Sequence, residues 1–298
     1  MPAKLAFSLL PYYMTREGIR PDLAPPLDEL LARVAAIGFD GVPAEIPGNL
    51  DEAGYAALLA QHGLRCAPGY FQADFADVEG RARMVEAAAA AARSHVKLGL
   101  DRIFIASQFP NAARYAAPGQ GAGADPQWLE SVIEGLGLAC AAMVAEGVMP
   151  CLHPHVGSAI EIESEIEAVL AAIPASQLLA GPDIGHLCWA GIDPLQFIRR
   201  HRDRIGAAHF KDMHKAVAAD GAAQGFNYRE TAWSGLWTAP GNGDLDCAQV
   251  LAALDGFSGW IVAEIDIADT PTVEDVARQS YVWFAQQAAS ANGEGVPA

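Results

Sequence analysis

Apolar positions fall into two alternating patterns along the chain. Short and nearly all-apolar runs occupy residues 5–10, 41–46, 64–67, 102–106, 148–152, 177–181, 205–208 and 260–263. Each is followed by a segment whose apolar residues recur three and four apart, at 27–37, 54–61, 81–98, 126–146, 164–173, 194–200, 246–254 and 273–289. Short apolar runs separated by helices predict parallel strands buried on both faces. Eight such units close on themselves without leaving an edge. The pattern therefore predicts a single (β/α)8 TIM barrel over residues 1–290, with 291–298 as a fraying tail.

Two connections exceed simple turns: 107–125, rich in Gly and Ala, and 211–244, which carries Tyr228, Trp233 and Trp237. They follow the fourth and seventh strands, on the rim where barrels place their chemistry, so they are expected to act as lids or substrate walls. No longer internal repeat and no linker-like boundary interrupts the alternation.

Composition excludes several classes. With 298 residues, 52% of them hydrophobic, the chain can bury a large core. Its 19 basic against 36 acidic residues give a net charge of -17, which repels nucleic acid and anionic membrane surfaces. The five cysteines are widely spaced with no CxxC pair, so reduced buried thiols are expected rather than a disulfide framework or thiolate zinc site. No apolar stretch approaches about 18 uninterrupted residues, and the first residues do not read as a signal peptide. A soluble, cytoplasmic protein is the expectation.

The chemistry sits where the apolar runs end. Asp183, His209 and Glu264 follow the sixth, seventh and eighth strands and offer one nitrogen and two carboxylates from neighbouring staves, which suits a first-row divalent cation or Mg2+. A fourth ligand is expected from the fifth strand. That strand ends in His153-Pro154-His155 and offers no carboxylate before Glu161. Glu161 reaching back from its loop is preferred because a third carboxylate would balance the cation, and His153 is the alternative.

These phrases resemble a known family, the xylose isomerase-like TIM barrels, which include sugar isomerases, ketose epimerases and inosose dehydratase. The likeness rests on Gly38-Phe39-Asp40-Gly41-Val42, His153-Pro154-His155-Val156-Gly157-Ser158, Asp183-Ile184-Gly185-His186-Leu187, His209-Phe210-Lys211-Asp212, Gly241-Asn242-Gly243-Asp244 and Ala263-Glu264-Ile265-Asp266. The His-Pro-His-Val-Gly-Ser run is most like the inosose dehydratase branch, because the epimerase branch usually carries a Glu on the fifth strand itself. The resemblance implies one divalent ion, Mn2+ ahead of Co2+, Mg2+, Fe2+ or Zn2+, held by Asp183, His209, Glu264 and a fifth-strand residue. It implies a lyase or dehydratase acting on a keto-sugar or keto-cyclitol through an enediolate. A sugar isomerase or ketose 3-epimerase using the same intermediate is the alternative, and a non-catalytic sugar-binding barrel is a remote one. A homo-oligomer is suggested by the relatives alone.

For moving protons, His153 and His155 are the candidates, since imidazole titrates near neutral pH and residues two apart in a strand share a face. Lys211 is expected to stabilise an enolate or protonate a leaving hydroxyl, unless it only pairs with Asp212 at the surface. Glu45 and His186 are expected to meet substrate hydroxyls, and Tyr13, Phe71, Trp189 and Trp233 are candidate walls for a sugar ring.

Overall fold

The computed structural model describes residues 3–108 and 112–291. Its barrel strands are β1 (Lys4–Phe7), β2 (Gly41–Pro43), β3 (Arg65–Ala67, resuming as Tyr70–Ala73), β4 (Arg102–Ser107), β5 (Met149–Leu152), β6 (Leu179–Ala180), β7 (Ala208–Phe210) and β8 (Trp260–Ala263). All pair in parallel, and the pairings make a circuit. From β8 they run to β1 and β2, then through both halves of β3 to β4, β5 and β6, while β7 lies on the other flank of β8. Parallel bridges Ala180–Ile205 and Asp183–His209 join β6 to β7. The second bridge sets two of the expected ligands side by side.

The two halves of β3 are separated by Pro68 and Gly69. Pro68 cannot donate to a ladder, and a Cβ on Gly69 would meet the Ala44 carbonyl oxygen at 2.6 Å. The strand therefore changes partner there, with its first half on β2 and its second on β4. The strand does not end at residue 67, where its apolar run stops, but resumes to Ala73. Two other runs were read too long: residues beyond Phe7 enter a short helix, Leu10–Tyr13, with Pro11 in its first turn, and β2 stops at Pro43. The connection 211–244 is no open loop, since it holds helices Lys215–Gln224 and Tyr228–Ala232 and a hairpin of Asp212–Met213 with Trp237–Thr238.

The eight helical segments lie where the periodicity puts them, from Leu27–Ile37 to Val273–Ala291. The last helix reaches residue 291, so the expected tail lies outside the described residues from 292 onward. Helix Pro126–Ala145 is long and apolar enough to cross a membrane, but it buries Val132, Leu136, Ala139 and Met143 in the protein core. Within the ring of strands, Ala6, Ala67, Phe104, Cys151, Ala207 and Val262 form one buried cluster. Small side chains from several staves leave room for Phe104, which becomes the floor beneath the rim.

Candidate metal centre

Four side chains converge above Phe104. His153, Asp183, His209 and Glu264 each present one ligand atom, and these atoms lie within 4.8 Å of one another. Bonds of ~2.0–2.2 Å to a divalent ion set opposite ligands ~4 Å apart, so modest contraction suffices. The His209 ring packs 4.1 Å from the Phe104 ring and 4.6 Å from that of His153. His209 Nδ1 lies 2.9 Å from Glu264 Oε2 and 3.8 Å from Asp183 Oδ2. The other Asp183 oxygen accepts the Gly185 and His186 backbone N–H groups at the start of helix Ile184–Trp189, which fixes the carboxylate's direction.

The residues fit a cation by their unmet needs. Both ring nitrogens of His153 and Asp183 Oδ2 are buried with no hydrogen-bond partner among the described residues. Such orphans cost ~1–3 kcal/mol each unless something else satisfies them. Asp183 Oδ2 does have Lys211 Nζ 3.1 Å away as an ion pair, out of line for a hydrogen bond. Burial pushes the His153 imidazole well below its usual range, with His209 adding to the effect, so it is neutral at pH 7, which is the form that ligates. Burial raises the Asp183 carboxyl to about 6 despite Lys211. Burial would also raise Glu264, but His209 and Lys211 outweigh it and hold that carboxyl well below the usual range.

Glu161 stands elsewhere. Its carboxylate accepts backbone N–H groups from Gly119, Gly121 and Gly157, so it ties the loop after β4 to the loop after β5. Arg114, fully buried, lies 3.8 Å from it and forms a two-pronged ion pair with Glu165. Of the two fifth-strand candidates the structure brings His153, not Glu161, to the other ligands.

The proton-moving candidates divide likewise. Lys211 is fully buried, 2.9 Å from Asp266 Oδ2 and 3.7 Å from Glu264 Oε2, and does not form a surface pair with Asp212. Asp212 instead accepts backbone N–H groups from Met213, Gly241, Gly243 and Leu245. Burial alone would lower the Lys211 ammonium, but Asp183, Asp266 and Glu264 hold it above its usual range. The His155 and His186 ring centres lie 3.7 Å apart at a tilt of 39°, with His155 on the cavity wall and His186 buried behind it against Lys211 Nζ. The strand ends at Leu152, before both histidines; the His153 and His155 ring centres lie 5.9 Å apart, and His155 lines the cavity while His153 does not.

A cavity of about 370 Å3 opens over the cluster. Glu45 lines it as an exposed residue just past the end of β2. Trp233 also lines it, whereas Trp189 lies behind the wall, stacked on Tyr228, and Tyr13 and Phe71 are not lining residues. Reading from sequence missed Asp266 and Tyr228, which meet through a 3.4 Å contact from the Tyr228 hydroxyl to Asp266 Oδ2. Asp266 had a signal, because it lies two residues beyond Glu264 and shares its face.

Fold and site together define a (β/α)8 barrel with a candidate metal-ligand set at the carboxyl ends of its strands. The chain belongs to the xylose isomerase-like TIM barrel family, whose model matches residues 31–287. Among curated proteins it is 28% identical to an inosose dehydratase of Geobacillus kaustophilus over 48% of this chain and 46% of that one. It is 25% identical to one from Bacillus velezensis over 80% and 81%. The matches thus span about half the length of several curated relatives and most of one. Solved structures share the fold. A probable 3-DHS dehydratase from Bacillus anthracis has a TM-score of 0.70 at 12% identity, covering 95% of this chain and 98% of that one. An L-ribulose 3-epimerase has 0.71 at 15%, covering 98% and 96%.

Proposed function

We propose that the chain is a divalent-metal-dependent carbon–oxygen lyase that removes water from a keto-sugar or keto-cyclitol. The convergence of His153, Asp183, His209 and Glu264 carries this reading. The relatives named inosose dehydratase support the dehydratase direction. When bound, a divalent ion would polarise a carbonyl and offset the charge of the adjacent enolate.

The chain's own groups supply the proton traffic. His155 Nδ1 lies 2.8 Å from the Val156 carbonyl oxygen, so Nδ1 carries the hydrogen and Nε2 is the accepting nitrogen. Burial lowers this imidazole to about 4, so at pH 7 it is neutral but a weak base, and its place in the cavity wall is what assigns it the proton beside the carbonyl. Lys211 does not line the cavity, but Asp266 does, and Asp266 links the Lys211 ammonium to the Tyr228 hydroxyl. Through that chain a proton reaches the departing hydroxyl, and water leaves. The net charge of -17 agrees with a small uncharged substrate and opposes nucleic acid.

Incubation with an inosose or a 3-keto-hexose and Mn2+ tests this by product mass. Loss of one water supports the lyase. Unchanged mass with altered stereochemistry would assign the isomerase or epimerase alternative, and no stoichiometric metal with no conversion would leave only a sugar-binding barrel.

A further inference from the structure

The cavity has two chemically different ends. At the inner end stand Glu45, His155, His209, Glu264 and Asp266. Toward the exposed hairpin residue Ile19 the lining carries Leu10, Met14, Ile19 and Trp233. A sugar or cyclitol presents hydroxyls on every side, and beyond the inner end the lining adds Gln72, Arg229 and the hydroxyls of Tyr70, Tyr115 and Tyr228. Leu10, Met14 and Ile19 on the hairpin side give such hydroxyls no strong donor or acceptor.

This apolar wall is organised before any ligand arrives. Met14 and Ile19 are cross-strand partners in the two-stranded hairpin Met14–Thr15 with Gly18–Ile19. The Arg16 guanidinium at the hairpin turn lies 4.9 Å from the Trp233 ring centre, and Arg229 Nη1 donates to the Arg16 carbonyl oxygen at 3.3 Å. The hairpin is thereby tied to the end of helix Tyr228–Ala232. Ile19 is nonetheless 59% exposed, a large apolar side chain held at the cavity mouth. A phosphate is a poor fit, because Glu45, Glu264 and Asp266 line the same cavity against the single guanidinium of Arg229.

We infer that the substrate is a keto-sugar bearing an apolar, ring-containing aglycone, which the outer wall covers while the sugar ketone sits over the metal ligands. This rests on the reaction class proposed above and selects within it a glycoside over a free cyclitol, free sugar or sugar phosphate. The cavity volume falls in the ~300–1,000 Å3 range of sites that take ligands of this size.

The test is a set of binding isotherms on the full chain, supplied with Mn2+ and, separately, chelated. The probes are phenyl 3-keto-β-glucoside, methyl 3-keto-β-glucoside and 3-keto-glucose 6-phosphate. Burial of an aryl ring is expected to make the phenyl glycoside bind roughly ten- to hundred-fold tighter than the methyl one. Ile19→Ser, at an exposed site that does not threaten folding, and Trp233→Ala should each shrink that ratio severalfold. Equal affinity for phenyl and methyl glycosides, or tighter binding of the phosphate, overturns the inference. Turnover is read apart from binding, by product mass. An aryl preference without conversion of any keto-sugar sinks the reaction class and leaves the apolar subsite standing, conversion without an aryl preference does the reverse, and no binding of any probe overturns both.

Discussion

Lys211 Nζ lies 2.9 Å from Asp266 Oδ2, and the same fully buried ammonium reaches Asp183 Oδ2 at 3.1 Å. One cation thus offsets carboxylates from two strand ends, one of them in the ligand set. Removing one member of a buried ionic group strands the others, typically at a cost of ~3–5 kcal/mol. Lys211→Met is expected to lose stability of that order in urea unfolding followed by tryptophan fluorescence, and to lose at least a hundredfold in kcat. An unfolding midpoint equal to that of the parent would show that the ammonium does not neutralise Asp183 and Asp266.

The ligand set makes a second prediction, with an internal control. Asp183→Asn, Glu264→Gln and His153→Gln should each lower bound Mn2+ well below one ion per chain in elemental analysis after gel filtration. Glu161→Gln should retain it, since its carboxylate is engaged by the Gly119, Gly121 and Gly157 backbone. In the parent, Mn2+ at a hundred times its Kd should add about 2.7 kcal/mol of stability, and this gain should vanish in the ligand variants. Loss of metal from the Glu161 variant with retention in the His153 variant would reverse the assignment.

How far the chain could be read in advance is clearest at these same residues. Asp183, His209 and Glu264 were legible because each ends a strand, and position on a barrel strand dictates which rim a side chain reaches. The choice between His153 and Glu161 was not, since it depends on amides some forty residues away that meet Glu161 only once the loop after β4 has folded. The second half of β3 was hidden by Pro68 and Gly69, which read as a terminator but act as a change of partner. Tyr228 lay in a span read as loop. Its helix starts with a reciprocal Asn227–Glu230 cap, a signal present in the sequence as Asn-x-x-Glu.

Arg114 and Glu165 give a prediction about the loop after β4. Their two-pronged pair is buried, and Arg114 Nη1 also donates to the Ser158 carbonyl oxygen at 3.2 Å. Arg114→Met should therefore cost ~3–5 kcal/mol in urea unfolding, because Glu165 is left buried without its cation. Hydrogen exchange should rise at Gly119 and Gly121, whose amides depend on the neighbouring Glu161. Unchanged exchange there would mean that the ion pair does not hold the loop.

Thiol reactivity supplies the pH dependence. Burial pushes Cys66 up to about 11 and Cys151 to about 12, and raises Cys140, Cys188 and Cys247 as well. Only the thiolate reacts with a disulfide reagent, so a raised pKa suppresses reaction below it and the rate should climb as pH approaches 11. At pH 8 the native chain should react slowly at all of its five cysteines, and urea should release them together. Reaction in seconds at pH 8 without denaturant at Cys140, Cys151 or Cys247 would contradict their burial.

Gly185 tests whether packing around Lys211 sets its position. A Cβ at this residue would stand 2.5 Å from Lys211 Cγ and 2.9 Å from the Trp237 ring. Neither neighbour has room to yield, because Lys211 and Trp237 are both fully buried, and the ammonium lies 4.8 Å from the Trp237 ring centre. Gly185→Ala should therefore displace the lysine from Asp183 and Asp266 while keeping the helix that Asp183 caps. Overpacking of this kind costs typically ~1–3 kcal/mol. The expected signature is a circular dichroism spectrum close to the parent's with kcat down at least tenfold, whereas an alanine variant of full activity would mean that Lys211 can shift without consequence for the reaction.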